Sequence, residues 1–306
     1  MRRKNRVFKL GALHHIYQRT TGGYLIFYSG RDFLVFFTLF CTLARKYQIT
    51  VYGLCLMYDH IHVLLKARNR EDMSAFVQEY TCRFSRMRNQ RYKRKGDFFR
   101  HRYGSAPKAD DKKARTAIAY LLNNPVEKRL CGRAEEFQWN FLNYAHNDHP
   151  FSEPLKLSAA SRALRRALEE VKQMRASDSP LRYEFIDRVT EGLIQKEIRQ
   201  LSDFIVTQYN CIQYNDLTAY FEDFEALLIA IHSNTGSEYQ IKEVISPGSD
   251  KIFKQLQSQL FKMKEFGDMT DVLSLPEGEK RRLAWSLAAE TGATPWELSK
   301  FLHIPL

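Results

Sequence analysis

The 306-residue sequence is poor in cysteine. Cys41, Cys55, Cys82, Cys131 and Cys211 are the five, and no two of them form a Cys-x-x-Cys pair. Their spacing matches no zinc pattern, and an odd count in a chain this long fits free thiols in a reducing cytoplasm. Cys41 and Cys55 lie in apolar runs and read as small buried hydrophobes. Long apolar stretches are missing too. The greasiest run, 33–44, is 12 residues with two Thr, too short to cross a bilayer. The basic start, Met1 to Arg6, is not followed by a signal-peptide apolar core. There is no Gly-x4-Gly-Lys-Ser/Thr phosphate loop, no internal repeat and no low-complexity tract.

Acidic residues are scarce in one half only. Residues 1–150 carry 28 Lys+Arg against 12 Asp+Glu, or +16, and residues 151–306 carry 19 against 23, or −4. The net charge of +12 therefore resides in the first half. That asymmetry points to a polyanionic partner for the N-terminal half, nucleic acid ahead of an anionic membrane surface.

Periodicity predicts strands at 11–19, 24–28, 49–57 and 60–66, with 96–105 irregular. It predicts helices at about 30–47, opened by the capping box Ser29-Gly-Arg-Asp32, at 71–94, and at 110–123, ended near Pro125. The expected fold is α+β, an antiparallel sheet with helices on one face. The turn-rich run 147–154 marks a boundary between residues 1–148 and 149–306. The second part reads as a mostly α-helical extension, with helices at 155–175, 181–209, 215–232, 250–265, 277–290 and 295–303. A Gly/Ser/Pro stretch offers a further division near 246–250. The last helix is opened by the capping box Thr294-Pro-Trp-Glu297.

His60-Ile61-His62 is the sharpest chemical feature. On a strand both imidazoles point one way while Ile61, Val63 and Leu65 point into the core. Alone, such a pair also fits a solvated strand face. Tyr120 and Asn124, four apart near a helix end, share a face. Two imidazoles and an amide oxygen, completed by water and phosphate, suit octahedral Mg²⁺ or Mn²⁺ better than tetrahedral zinc.

The run Leu56-Met-Tyr-Asp-His-Ile-His-Val-Leu-Leu65, followed by Ala119-Tyr-Leu-Leu-Asn-Asn-Pro-Val126, resembles the HUH endonucleases. Within them it is most similar to the REP-associated tyrosine transposases, relatives of the single-strand insertion-sequence transposases. His15-Ile-Tyr-Gln-Arg19 resembles the first family strand, Phe98 to Ser105 the segment before the tyrosine helix, and Glu136-Phe-Gln-Trp139 the family's acidic–aromatic ending. The resemblance covers about residues 8–145. Two departures stand out: Tyr58-Asp59 where the family has Pro-Asn, and Glu127-Lys-Arg129 where it has a small residue and Gly. Asp59 could add a carboxylate beside a metal.

The resemblance implies the ferredoxin-like HUH nuclease fold, with His60, His62 and Asn124 as ligands of Mg²⁺ or Mn²⁺ and Tyr120 as nucleophile. It implies cleavage of single-stranded DNA beside an imperfect hairpin, leaving a 5′-phosphotyrosine and a free 3′-OH that can be resealed. A non-catalytic hairpin DNA- or RNA-binding relative and a metallohydrolase without a covalent step are the rivals. The basic segment fits the substrate. Arg83, Arg86, Arg91, Lys93, Arg94, Lys95, Arg100, His101 and Arg102, with Arg88 among them, interleave with Phe84, Tyr92, Phe98, Phe99 and Tyr103. Cations there would track phosphates and rings would stack on unpaired bases. The remaining histidines, His14, His146, His149, His232 and His303, read as structural or surface. The expected partner is single-stranded or hairpin DNA, with no membrane, for a cytoplasmic monomer or homodimer. The extension is expected to be dispensable for the chemical step.

Overall fold

The computed structural model describes residues 7–100, 103–233, 250–263 and 268–305. The first half is built from β1 (Leu13–Arg19), α1 (Gly30–Lys46), β2 (Thr50–Leu56), β3 (His60–Lys66), α2 (Arg70–Arg91), β4 (Gly104–Lys108) and α3 (Asp111–Glu127). The sheet order is β2-β3-β1-β4 and every neighbouring pair is antiparallel. The α+β expectation holds, with three corrections.

Residues 24–28 are not a strand. The run is apolar because Leu25, Ile26 and Phe27 are buried, but its backbone bonds elsewhere: Ile26 and Phe27 N–H both donate to the Tyr58 carbonyl, at 2.6 and 3.2 Å. The fourth strand is β4, which begins at the end of the stretch expected to be irregular, 96–105, and runs on through residues where periodicity predicts no element. Gly-Ser-Ala-Pro-Lys has little strand propensity, yet it lies at the sheet edge, where Pro107 needs no ladder donor. Helices cover both faces of the sheet rather than one. Ile61, Val63 and Leu65 pack with α1 and α2, whereas Leu64 and Cys55 pack with Ala117, Ile118 and Leu121 of α3. Burying each such aliphatic side chain contributes about 1.5–3 kcal/mol.

Capping signals are realised. Ser29 and Asp32 close the box at the start of α1, and Asp32 is fully buried. Its carboxylate accepts from the Tyr28 and Ser29 N–H groups at 2.8 and 3.0 Å and from the Tyr92 and Tyr183 hydroxyls at 2.9 and 2.7 Å. α3 runs through Pro125 instead of ending there. Proline removes one helical donor, and the helix closes one turn later with Lys128 N–H on the Asn124 carbonyl at 3.0 Å.

The second half is helical as expected: α4 (Arg162–Ala176), α5 (Tyr183–Thr190), α6 (Gln195–Tyr209), α7 (Tyr214–Thr218), α8 (Phe224–His232), α9 (Lys251–Lys262), α10 (Met269–Ser274), α11 (Glu277–Thr291) and α12 (Pro295–Leu302). The helix expected over 181–209 is two, separated around Gly192 at φ +74°, and the one expected over 215–232 is also two, α7 and α8, separated by a turn over 219–223. The core does not stop at residue 148. Leu164, Leu168, Ile186, Leu201 and Ile205 share one cluster with α1 and the sheet. Leu227 and Ile231 pack under α3, and α9 to α12 form a third cluster with Leu25, Tyr28 and Tyr92.

Candidate active site

Alternation on two adjacent strands builds the floor of the site. On β3, His60 and His62 face α3, as Leu64 does. On β1, His15, Tyr17 and Arg19 face the same way, with Tyr17 opposite His62 and Arg19 opposite His60. α3 forms the roof, bringing Tyr120 and Asn124 over the histidines. Both imidazoles are fully buried, Asn124 is buried, and Tyr120 is 4% exposed.

The contacts are directional. His60 Nδ1–H donates to Asp59 Oδ1 at 2.5 Å, and His60 Nε2 lies 3.2 Å from Asn124 Oδ1. His62 Nδ1 and His15 Nε2 share a hydrogen bond of 2.9 Å. His62 Nε2 is buried without a hydrogen-bond partner. The His60 and His62 rings stand 4.8 Å apart at 88°, and the Tyr120 ring meets His62 edge-on at 5.8 Å.

Each histidine thus has its Nδ1 held by a partner, the arrangement by which metal-binding imidazoles are oriented. Two acceptor lone pairs do not hold each other at 3.2 Å; a proton on Nε2 or a cation beside both atoms does. Adjacent ligands of an octahedral Mg²⁺ stand about 3 Å apart. The donor set of two imidazoles and one amide oxygen therefore fits a divalent ion. Among the described residues no group of three or more His, Cys, Asp or Glu forms a metal cluster, so any such site depends on Asn124.

Asp59 does not offer a free carboxylate to a metal. One oxygen takes His60 and the other is ion-paired with Lys300 of α12. Burial would raise its carboxyl pKa, but His60, Lys300 and Arg19 hold it well below the usual range. Asp250, also buried, is pushed up to about 6, by burial and then by the Asp59 charge. Burial, aided by Lys108, lowers His15 to about 3, and burial with His60 and His15 lowers His62 well below its ordinary value.

His15, Tyr17, Lys300 and Asp250 were not anticipated around the site. The first two had a legible signal, since His15-x-Tyr17-x-Arg19 alternates as His60-x-His62 does. Lys300 and Asp250 had none, because they arrive from far along the chain.

The basic segment is less uniform than its composition. α2 packs on the face opposite the histidines. Arg88 is fully buried, donating to the Leu25 and Ile26 carbonyls at 3.0 and 2.8 Å with the Phe98 ring 4.2 Å away. Arg91 bridges Asp187 and Asp268, both at 2.9 Å. Arg94 is half-buried beside Tyr24 and Phe98, and Arg83 pairs with Glu79 at 3.1 Å. Arg86, Lys93, Lys95 and Arg100 are exposed. The Arg100 backbone joins the end of β1, its N–H donating to the Arg19 carbonyl at 3.0 Å. His101 and Arg102 lie outside the described residues. Phe84, Tyr92, Phe98 and Phe99 are core residues rather than exposed stacking platforms.

Residues 29–124 match the IS200-like transposase family. The transposase-like segment includes His60, His62, Tyr120 and Asn124 and stops at Asn124. No curated protein matches the chain. A solved structure of a REP-associated tyrosine transposase bound to a REP hairpin is similar at 12% identity and a TM-score of 0.43, covering 53% of this chain and 98% of that one. Among the described residues no helix is long and apolar enough to cross a membrane.

Proposed function

We propose that this protein is a cytoplasmic, metal-dependent endonuclease and transposase. It nicks and rejoins single-stranded DNA near hairpins through a 5′-phosphotyrosine intermediate. The convergence of His60, His62 and Asn124, with Tyr120 edge-on to His62 in the transposase-like segment, carries this reading. His60, His62 and Asn124 hold Mg²⁺ or Mn²⁺. When bound, the ion supplies charge neutralisation at the scissile phosphate.

Tyr120 is the nucleophile. A phenol with a pKa of about 10 is weak at neutral pH and needs to be oriented in line with the phosphorus. Its oxygen bonds to phosphorus as the bond to the 3′ oxygen breaks. The phenol loses its proton, and the departing oxygen gains one to become a 3′-OH. Attack by a 3′-OH on the phosphotyrosine reverses the step, so no nucleotide cofactor is required. The exposed cations Arg86, Lys93, Lys95 and Arg100, with His101 and Arg102, are assigned to the DNA backbone. Arg83, Arg91 and Arg94 join them only where their internal pairs are exchanged for phosphate. The chemical step is assigned to residues 1–148 and a supporting role to 149–306.

Tyr120→Phe tests the reading directly. The variant is expected to keep hairpin binding and lose the protein–DNA adduct seen on a denaturing gel. An unchanged adduct would refute the tyrosine assignment. A Mn²⁺ titration of wild type against His60→Ala/His62→Ala is expected to show binding in the first alone, and equal affinity in both would remove the metal.

A further inference from the structure

We infer that Lys300, in the last helix of the chain, is a positioning residue for His60, acting through Asp59; the inference rests on the reading of His60 as a metal ligand. Lys300 and Asp59 form an ion pair in which each side chain is only 7% exposed. Two rings lie against the ammonium, with Trp296 centred 3.8 Å away and Phe253 5.8 Å away. Asp59 uses its second oxygen for His60 Nδ1–H, and His60 Nε2 faces Asn124. Lys300, Asp59, His60 and Asn124 thus form one chain of contacts ending where the ion would sit. A carboxylate on Nδ1–H selects the tautomer with its lone pair on Nε2 and holds the ring plane.

Backbone contacts fix the two ends of the pair relative to each other. Leu25 N–H donates to the Lys300 carbonyl at 3.2 Å, and the Tyr28 hydroxyl donates to the Phe301 carbonyl at 2.5 Å. Ile26 and Phe27 N–H hold the carbonyl of Tyr58, the residue before Asp59. The segment 25–28 therefore ties α12 and the start of β3 together. A buried ion pair is on average a poor source of stability. Its position, one bond from a candidate ligand, is better accounted for by what it orients.

Mn²⁺ binding to the full chain, followed by electron paramagnetic resonance without DNA, tests this apart from activity. Circular dichroism of each variant checks its fold. Lys300→Met and Asp59→Asn are each expected to weaken Mn²⁺ binding by about 10- to 100-fold. The double variant is expected to be no weaker than the worse single one, because both act on His60 through one chain. If Lys300→Met does not fold, Lys300→Gln, which keeps a donor without the charge, is expected to lose affinity in the same direction. A folded Lys300 variant with wild-type affinity, or losses that multiply in the double variant, would overturn the inference alone. Wild type that binds no Mn²⁺ would overturn the metal reading and this inference with it.

Discussion

Arg88 and Arg86 lie two residues apart in one helix and have opposite fates. Arg88 is sealed beneath aromatic rings and satisfies two carbonyls; Arg86 is exposed. Arg88→Met is therefore expected to destabilise the protein by on the order of 3 kcal/mol or more, read by urea denaturation, because it strands buried acceptors. Arg86→Ala should leave the melting temperature unchanged and reduce the salt slope of single-strand binding by about 0.7. Equal stability of both variants would contradict the burial assigned to Arg88. His303 provides a pH signature at the same scale. Burial, with Arg88, Arg94 and Lys280 nearby, lowers its pKa well below 6.5. Below pH 6.5 the unfolded chain binds a proton there that the folded chain refuses. Stability from this group is thus full above 6.5 and falls as pH drops toward the folded pKa, by at most about 1.4 kcal/mol per pH unit. His303→Gln is expected to flatten that part of the acid stability curve.

The sheet and α3 form the element on which catalysis would depend. α3 packs on β2 at Gly53, where a Cβ would make ordinary contact, 3.4 Å from Leu121 Cδ2 and 3.7 Å from Leu64 Cδ1, and the two methyls of a valine would reach further toward the helix. Tyr120 adjoins Leu121, so pushing the helix outward moves the proposed nucleophile. Gly53→Val is expected to lower stability by about 1–3 kcal/mol. It should also cut adduct formation by about 100-fold through misplacement of roughly an ångström. Wild-type adduct formation in this variant would show that the helix position is not limiting. Strands with strong alternation, such as 60–66, were legible from the sequence. β4 was not, because Gly-Ser-Ala-Pro-Lys is made a strand by the open edge of β1 rather than by its own propensity. The reverse error at 24–28 has the same root. Apolar composition reports burial, and burial is shared by strands and by segments whose N–H groups are satisfied elsewhere.

At the scale of the molecule, the two halves differ in charge but share their cores. A chain ending at Asn147 loses Leu164, Leu168, Ile186, Leu201 and Ile205 from behind α1, and Lys300 from Asp59. It is expected to lack a cooperative thermal transition; a sharp transition near that of the full chain would show that residues 1–148 stand alone. The intact protein is expected to bind single strands with a log–log salt slope of about −3 to −4 if four to six phosphates are neutralised. A flat response would remove the exposed cations from the docking surface. By itself the sequence determined the local matters: the α+β class, the caps at Ser29 and Thr294, the two histidines on one strand face, and Tyr120 and Asn124 one helical turn apart. Each depends on a spacing of two to four residues, which backbone geometry converts directly into direction. Tertiary structure alone decided that helices lie on both sheet faces, that Arg88 is buried and Arg91 paired with Asp187 and Asp268, and that Asp59 is held between His60 and Lys300. Those outcomes depend on contacts between distant segments, formed only when the apolar faces are buried together, and no local pattern encodes them.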